Sequence, residues 1–146
     1  MIKMEKEYEK NCIFCKIVKR ELPSNIVYED EKFIAFLDIN PVNEGHTLVI
    51  PKKHKKNLLE EDEKILEEYL KIVKKLSLAV KKATNAGGIN IINNVESTAG
   101  QVIFHTHIHI IPRFENDGIK LWPGKPYKNE EERKKIEEKI KKEIEK

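Results

Sequence analysis

Residues 105–111, His-Thr-His-Ile-His-Ile-Ile, alternate imidazoles with threonine or isoleucine. Alternation with period two marks an extended strand with two unlike faces. His105, His107 and His109 would share one face, and Thr106, Ile108 and Ile110 the other. Three of the chain's five histidines then fall in a row spanning about 13 Å, at ~3.3 Å per residue. Near pH 7 a neutral imidazole serves as nucleophile, proton shuttle or metal ligand. The segment is therefore expected to be both a core strand and a chemical site.

The rest of the chain supplies elements to pack against that strand. Ile26–Glu29 and Lys32–Leu37 read as a β-hairpin across Asp30-Glu31. Turn signals follow at Asp38-Ile39-Asn40-Pro41 and Asn43-Glu44-Gly45, and His46–Pro51 reads as a buried strand ending at proline. From about Glu61 to Ala86, Leu66, Leu70, Val73, Leu76, Val80 and Ala83 recur at three- and four-residue steps, an amphipathic helix closed at Gly87-Gly88. Ile65, Tyr69 and Ile72 widen its apolar surface beyond one stripe. Ile89–Asn93 is a further strand, and Asn94 to Gly100 a polar loop. Asn129 and Glu132 open a last helix whose stripe, Ile136, Ile140 and Ile144, is narrow. Strands, one long helix and strands again give an α+β fold with a mostly antiparallel, five-stranded sheet.

With 146 residues and no visible linker or repeat, a single domain over 1–146 is expected, with a core of about 12–123 and a helical extension of about 124–146. Charged residues make up 36% of the chain, mostly Lys and Glu, yet the net charge is only +3, which suits a solvated, ion-paired surface. No basic stripe interleaved with aromatics is present, and Lys52-Lys53-His54-Lys55-Lys56 reads as a solvated face, so no nucleic-acid partner is expected. Residues 1–10 are charged and nothing reaches transmembrane length, so neither a signal peptide nor a membrane partner is expected and a cytoplasmic location follows. A disulfide between Cys12 and Cys15 would close only a tiny loop; zinc binding, free structural thiols and redox chemistry are the alternatives.

Taken together, the motifs resemble the histidine triad family of nucleotide hydrolases and transferases. The resemblance rests on His105–Ile111, on Ala99-Gly100-Gln101 before it, and on Asn94 seven residues before the glutamine. It extends to Leu37-Asp38-Ile39, to Gly45-His46-Thr47-Leu48-Val49-Ile50-Pro51 with His54 beyond, and to Cys12-Ile13-Phe14-Cys15-Lys16-Ile17, found in many microbial members. It covers roughly residues 12–123. The resemblance implies a sheet with one long central helix, a short N-terminal helix and a C-terminal helix. It also implies hydrolysis at the α-phosphate of purine nucleotide derivatives: adenosine phosphoramidates, dinucleoside polyphosphates or other adenylates.

In that scheme His107 attacks phosphorus and carries a covalent nucleotidyl group that water then removes. His109 hydrogen-bonds phosphate or leaving-group oxygen, and Gln101 orients water or holds a phosphate oxygen. Asn94 donates to the phosphate, and His46 supports the triad's hydrogen bonding. Asp38 would accept the ribose hydroxyls, with Ile26, Phe33, Phe36 and Ile39 lining a base slot. Zinc, in a structural role, would be held by Cys12, Cys15, His54 and His105, and no magnesium ligand set is evident. Members are typically homodimers, with a segment like Trp122-Pro123-Gly124 reaching toward the neighbouring subunit. One departure is Val102, where many members carry a serine whose hydroxyl contacts the α-phosphate. Two alternatives follow: a nucleotide-binding regulatory protein with little turnover, and a zinc hydrolase that uses all three triad histidines as ligands.

Overall fold

The fold is known from a computed structural model that describes residues 7–146; the first six residues of the charged N-terminal segment lie outside the described residues. In chain order the elements are α1 (Ile13–Val18), β1 (Ile26–Glu29), β2 (Phe33–Leu37), β3 (Thr47–Pro51), α2 (Glu63–Thr84), β4 (Gly88–Ile92), β5 (Ile108–Arg113) and α3 (Glu130–Ile144). The strands form one antiparallel sheet in the order β1-β2-β3-β5-β4. The α+β architecture with a long central helix is that expected from the sequence.

Both faces of the sheet are covered, and strand alternation decides which side chain goes where. Phe33 and Ala35 of β2, Val49 of β3, and Ile108 and Ile110 of β5 pack against Tyr69, Val73 and Leu76 of α2. Ile34, Phe36, Leu48 and Ile50 point the other way, onto Cys12, Phe14, Cys15 and Ile17 around α1. Each face thus has its own apolar cluster. The consequence for function is that His109, between Ile108 and Ile110, projects from the α1 side.

Four details differ from the sequence expectations. The histidine strand is shorter: β5 starts at Ile108, and His105 and His107 lie in the irregular segment leading into it. The buried stripe of α2 runs through Tyr69, Val73, Leu76 and Ser77, whereas Leu70 is 67% exposed and Ala83 lies outside. Periodicity alone admits either stripe, because the helix carries leucines on both. The left-handed residue that ends α2 is Asn85 at φ 55°, not a glycine; its short amide side chain tolerates that region, and Gly88 already belongs to β4. Phe33, placed among the candidate base contacts, is buried against Tyr69 on the opposite face of the sheet.

Gly45 matters for how the chain enters β3. It sits at φ +95°, and a Cβ there would meet Thr84 Cγ2 at 2.6 Å. The tight approach of this turn to the end of α2 sets the start of β3 and the position of His46 beside it. Helix α3 carries no buried residue, so the narrow stripe reads in the structure as a helix standing in solvent.

Candidate functional site

The α1 face of the sheet carries two adjoining polar groups. Cys12 and Cys15 flank the first turn of α1; Cys12 Sγ accepts a hydrogen bond from the Cys15 amide and so caps the helix. His54, just beyond β3, and His105 approach them. Cys12 Sγ lies 3.4 Å from His105 Nδ1, Cys15 Sγ lies 3.4 Å from His54 Nδ1 and 3.5 Å from His105 Nδ1, and the two Nδ1 atoms are 3.2 Å apart. A tetrahedron with ~2.3 Å zinc–sulfur and ~2.0 Å zinc–nitrogen bonds has S···N edges of about 3.5 Å and an N···N edge of about 3.3 Å. These four residues can hold a metal ion. Without a cation, burial pushes the Cys15 thiol up to about 11, so a bound ion would have to displace its proton.

The second group lines a cleft of about 700 Å³. Its polar lining includes Asp38, Asn40, Asn94, His107 and His109, with Gly100 beside them; its apolar lining includes Phe14, Ile17, Leu22, Phe36 and Ile39. That volume and mixture suit a small organic ligand with a polar end. Ile39 is 89% exposed at the rim, and Ile26 does not line the cleft.

Hydrogen bonds fix which nitrogen of each ring carries a proton. His105 Nε2 meets the Pro51 carbonyl at 2.7 Å, and a carbonyl only accepts, so the proton is on Nε2 and the Nδ1 lone pair faces the thiols. His107 has the opposite arrangement. Its Nδ1 meets the His105 carbonyl at 2.7 Å, which puts the proton on Nδ1 and leaves Nε2 unprotonated. For His46, the Val42 amide donates to Nδ1 at 3.0 Å, so Nε2 bears the proton and donates to His109 Nδ1 at 2.9 Å. His109 then carries its own proton on Nε2. A nucleophilic lone pair and an N–H donor therefore stand side by side, with ring centres 5.0 Å apart.

This pattern disposes of two other metal arrangements. The triad histidines do not converge: His105 turns to the thiols, His107 to a carbonyl and His109 to His46. Asp38, His46 and His109 do cluster, with Asp38 Oδ2 3.7 Å from His46 Nε2. His46 has no free lone pair there, however, because its Nδ1 accepts from Val42.

Gln101 lies elsewhere than the resemblance suggests. It is buried and does not line the cleft; its amide nitrogen donates to the carbonyls of Lys56 (2.8 Å) and Ile103 (3.0 Å), and its oxygen accepts from the Glu96 amide (2.8 Å). All of these bonds hold the loop 96–103, in which Glu96 (φ 73°) and Gly100 (φ 96°) are both left-handed. Asn94 does line the cleft, and a Cβ on Gly100 would come within 3.7 Å of its amide. Sequence reasoning gave no separate role to Phe14, whose ring meets His105 (5.9 Å), His107 (5.1 Å) and Phe36 (5.4 Å) edge to face. Its place between the two cysteines was the available signal.

All five histidines are held below their ordinary value of 6.5, chiefly by burial, and His105 and His109 are pushed down to about 4. Neutral imidazoles are thus the resting state at pH 7. For His109 and His46 the unfolded chain takes up protons near 6.5, whereas the folded chain resists until lower pH. The unfolded state then binds more protons, and stability falls as pH drops from about 6.5 toward 4. Calorimetric melting temperatures should decline across that window, with a shallower decline in His109→Asn. A flat profile, or equal slopes in the two proteins, would contradict this burial.

The HIT domain profile matches residues 19–116. An uncharacterized HIT-like protein of Borreliella burgdorferi is 54% identical over 116 residues, covering 78% of this chain and 84% of that protein. Adenosine 5'-monophosphoramidase HNT1 of Candida albicans is 40% identical over 120 residues (78% of this chain, 79% of that protein). Adenylylsulfatase HINT3 of Arabidopsis thaliana is 44% identical over 109 residues, 75% of this chain but 55% of that protein. Among solved structures, one from Streptococcus mutans superposes with a TM-score of 0.89 at 43% identity, covering 94% of this chain and 88% of that one. A Zn-bound histidine triad family protein from Mycobacterium smegmatis gives 0.72 at 34% identity, with 80% and 84% covered. The chain, with its paired cysteines and its run of alternating histidines, belongs to the HIT family.

Proposed function

We propose that this protein hydrolyses purine nucleotide derivatives at the α-phosphate through a nucleotidyl-histidine intermediate. The observation that carries the reading is the pair of opposite tautomers in the cleft: an unprotonated Nε2 on His107 beside an N–H on His109. The relatives whose names specify an activity, an adenylylsulfatase and an adenosine 5'-monophosphoramidase, support an adenylate as substrate.

The His107 Nε2 lone pair forms a bond to the α-phosphorus while the bond to the leaving group breaks, and the leaving group departs with the electron pair. Sulfate and nucleoside phosphates leave as stable anions and need no proton; an amine leaves with a proton from solvent. The nucleotidylated ring is cationic and keeps its Nδ1 proton on the His105 carbonyl. Water then attacks phosphorus, the P–N pair returns to Nε2, and the water's proton goes to solvent, giving the nucleoside monophosphate. His109 Nε2–H and the Asn94 amide donate to the phosphoryl oxygens, where charge develops. Asp38 accepts from ribose, with Phe36 and Ile39 against the base. Gln101 acts as a positioning residue for the loop, and His46 as one for His109.

With an adenylate labelled at the α-phosphorus, rapid acid quenching should trap label on the protein within the first turnover. His107→Ala should lose both the label and turnover, the latter by more than about 10³-fold. Turnover by the wild type without any trapped label would overturn the covalent route.

A specific observation favours a second reading, a nucleotide-binding regulatory protein with little turnover. Val102, 83% exposed at the cleft, offers no hydroxyl to the phosphate. Tight adenylate binding with neither trapped label nor product would select that reading.

The cluster Cys12, Cys15, His54 and His105 is proposed to hold one structural zinc, which when bound would tie the segment before α1 to the approach to β5. Elemental analysis should find about one zinc per chain, and Cys15→Ser should lose it together with thermal stability. Retention of metal by Cys15→Ser would refute the assignment.

The protein is further proposed to be a homodimer. Leu70 and Leu78 of α2 are more than half exposed, as are Ile91 of β4, Leu121 and Trp122, which line one open groove; a second copy would cover such apolar side chains. Sedimentation equilibrium should return twice the mass of 17.1 kDa; the single-chain mass would rule the dimer out.

A further inference from the structure

Of the three residues that alternate with the triad histidines, Ile108 and Ile110 pack against α2, but the first, Thr106, is polar and only 1% exposed. A hydroxyl buried that deeply needs a partner. It donates to Glu61 Oε1 at 2.8 Å, with a longer approach of 3.4 Å to the Lys55 carbonyl. The Thr106 amide donates to that same carbonyl at 3.0 Å. Residue 106 is thus held at two points by the segment that runs from His54 to α2.

In a planar trans peptide the C=O and the N–H point in opposite directions. The Thr106 amide and the His105 carbonyl belong to one such unit. With the amide aimed at Lys55, the carbonyl is turned the other way, where His107 Nδ1 meets it at 2.7 Å. The orientation of this peptide therefore decides the tautomer of His107. It lies outside the β5 ladder, which begins at Ile108, so side chains must fix it. Burial pushes the Glu61 carboxyl above its ordinary 4.5, while the Thr106 hydroxyl and the Lys55 cation pull it down. A partly desolvated carboxylate is a strong acceptor.

We propose that Glu61 is a positioning residue for His107: through the Thr106 hydroxyl it holds the peptide whose carbonyl keeps the His107 proton on Nδ1. The kinetic consequence rests on the hydrolase reading above; the tautomer does not. Glu61 directly precedes the N-cap of α2 and lines a separate hollow of about 250 Å³, not the cleft. Without its carboxylate, the Thr106 hydroxyl has the Lys55 carbonyl as its remaining partner, and residue 106 turns toward it. The His105 carbonyl then loses its aim, and the His107 ring can carry its proton on either nitrogen. An Nε2–H ring has no lone pair to offer phosphorus.

Nitrogen-15 histidine NMR near pH 7 and steady-state kinetics with adenosine 5'-phosphoramidate, on the same variants, test the assignment. In Glu61→Ala the His107 ring should average between tautomers, and kcat should fall about tenfold with KM held within about twofold. Glu61→Gln keeps an acceptor oxygen and should restore the Nδ1–H ring and most of kcat. Thr106→Val should match Glu61→Ala, and the double variant should lose no more than either alone. His46 and His109, whose protons are set through the Val42 amide, should keep their tautomers. A pure Nδ1–H ring at His107 in Glu61→Ala, a change at all three rings together, or additive losses would overturn the positioning role. An inactive wild type would refute the hydrolase reading and leave the tautomer comparison decisive.

Discussion

Two backbone carbonyls, those of Pro51 and His105, decide what the histidines of this protein can do. An imidazole has two nitrogens, and a carbonyl only accepts, so whichever nitrogen reaches it must carry the proton. Pro51 thereby leaves His105 Nδ1 as a lone pair for the thiols, and the His105 carbonyl leaves His107 Nε2 as a lone pair for the cleft. Identical side chains two residues apart acquire opposite tautomers and separate tasks. This depends on β5 beginning only at Ile108. A regular strand through 105–107 would commit these peptide groups to the ladder with a neighbouring strand.

The two-faced sheet gives those hydrogen bonds a fixed frame. One face is closed by α2 through Tyr69, Val73 and Leu76, and the other by the short helix bearing Cys12, Phe14 and Cys15. Phe14 lies edge-on to both His105 and His107, so the metal-capable cluster and the cleft share a wall. Burial also makes the site a set of neutral rings. Neutral rings suit an anionic ligand only where their N–H donors point inward, and the Val42–His46–His109 chain of hydrogen bonds turns one inward.

The succession of strands and helix along the chain and the α+β class were legible in the sequence, because hydrophobic alternation and three-to-four spacing report on which faces are buried. The grouping of Cys12-x-x-Cys15 with His54 and His105 came from the family resemblance and not from the spacing itself, which left free thiols and redox chemistry open; the four side chains do converge. What escaped was orientation. No pattern distinguished the α2 stripe through Tyr69 from the one through Leu70, nor placed Phe33 on the far face of the sheet. The turning of Gln101 into the loop depends on carbonyls of Lys56 and Ile103 that are 45 and two residues away, and a one-dimensional motif does not encode such partners. The tautomers were equally hidden, since they follow from backbone positions fixed only by the fold.

Those tautomers are the central claim and are directly observable. Long-range proton–nitrogen NMR on protein labelled with nitrogen-15 in histidine, recorded near pH 7, separates Nδ1–H from Nε2–H rings. His107 should appear as the Nδ1–H form with an unprotonated Nε2, and His109 as the Nε2–H form, each assigned by its loss in the corresponding alanine variant. A His107 ring protonated on Nε2, or averaged between the two forms, would contradict the account.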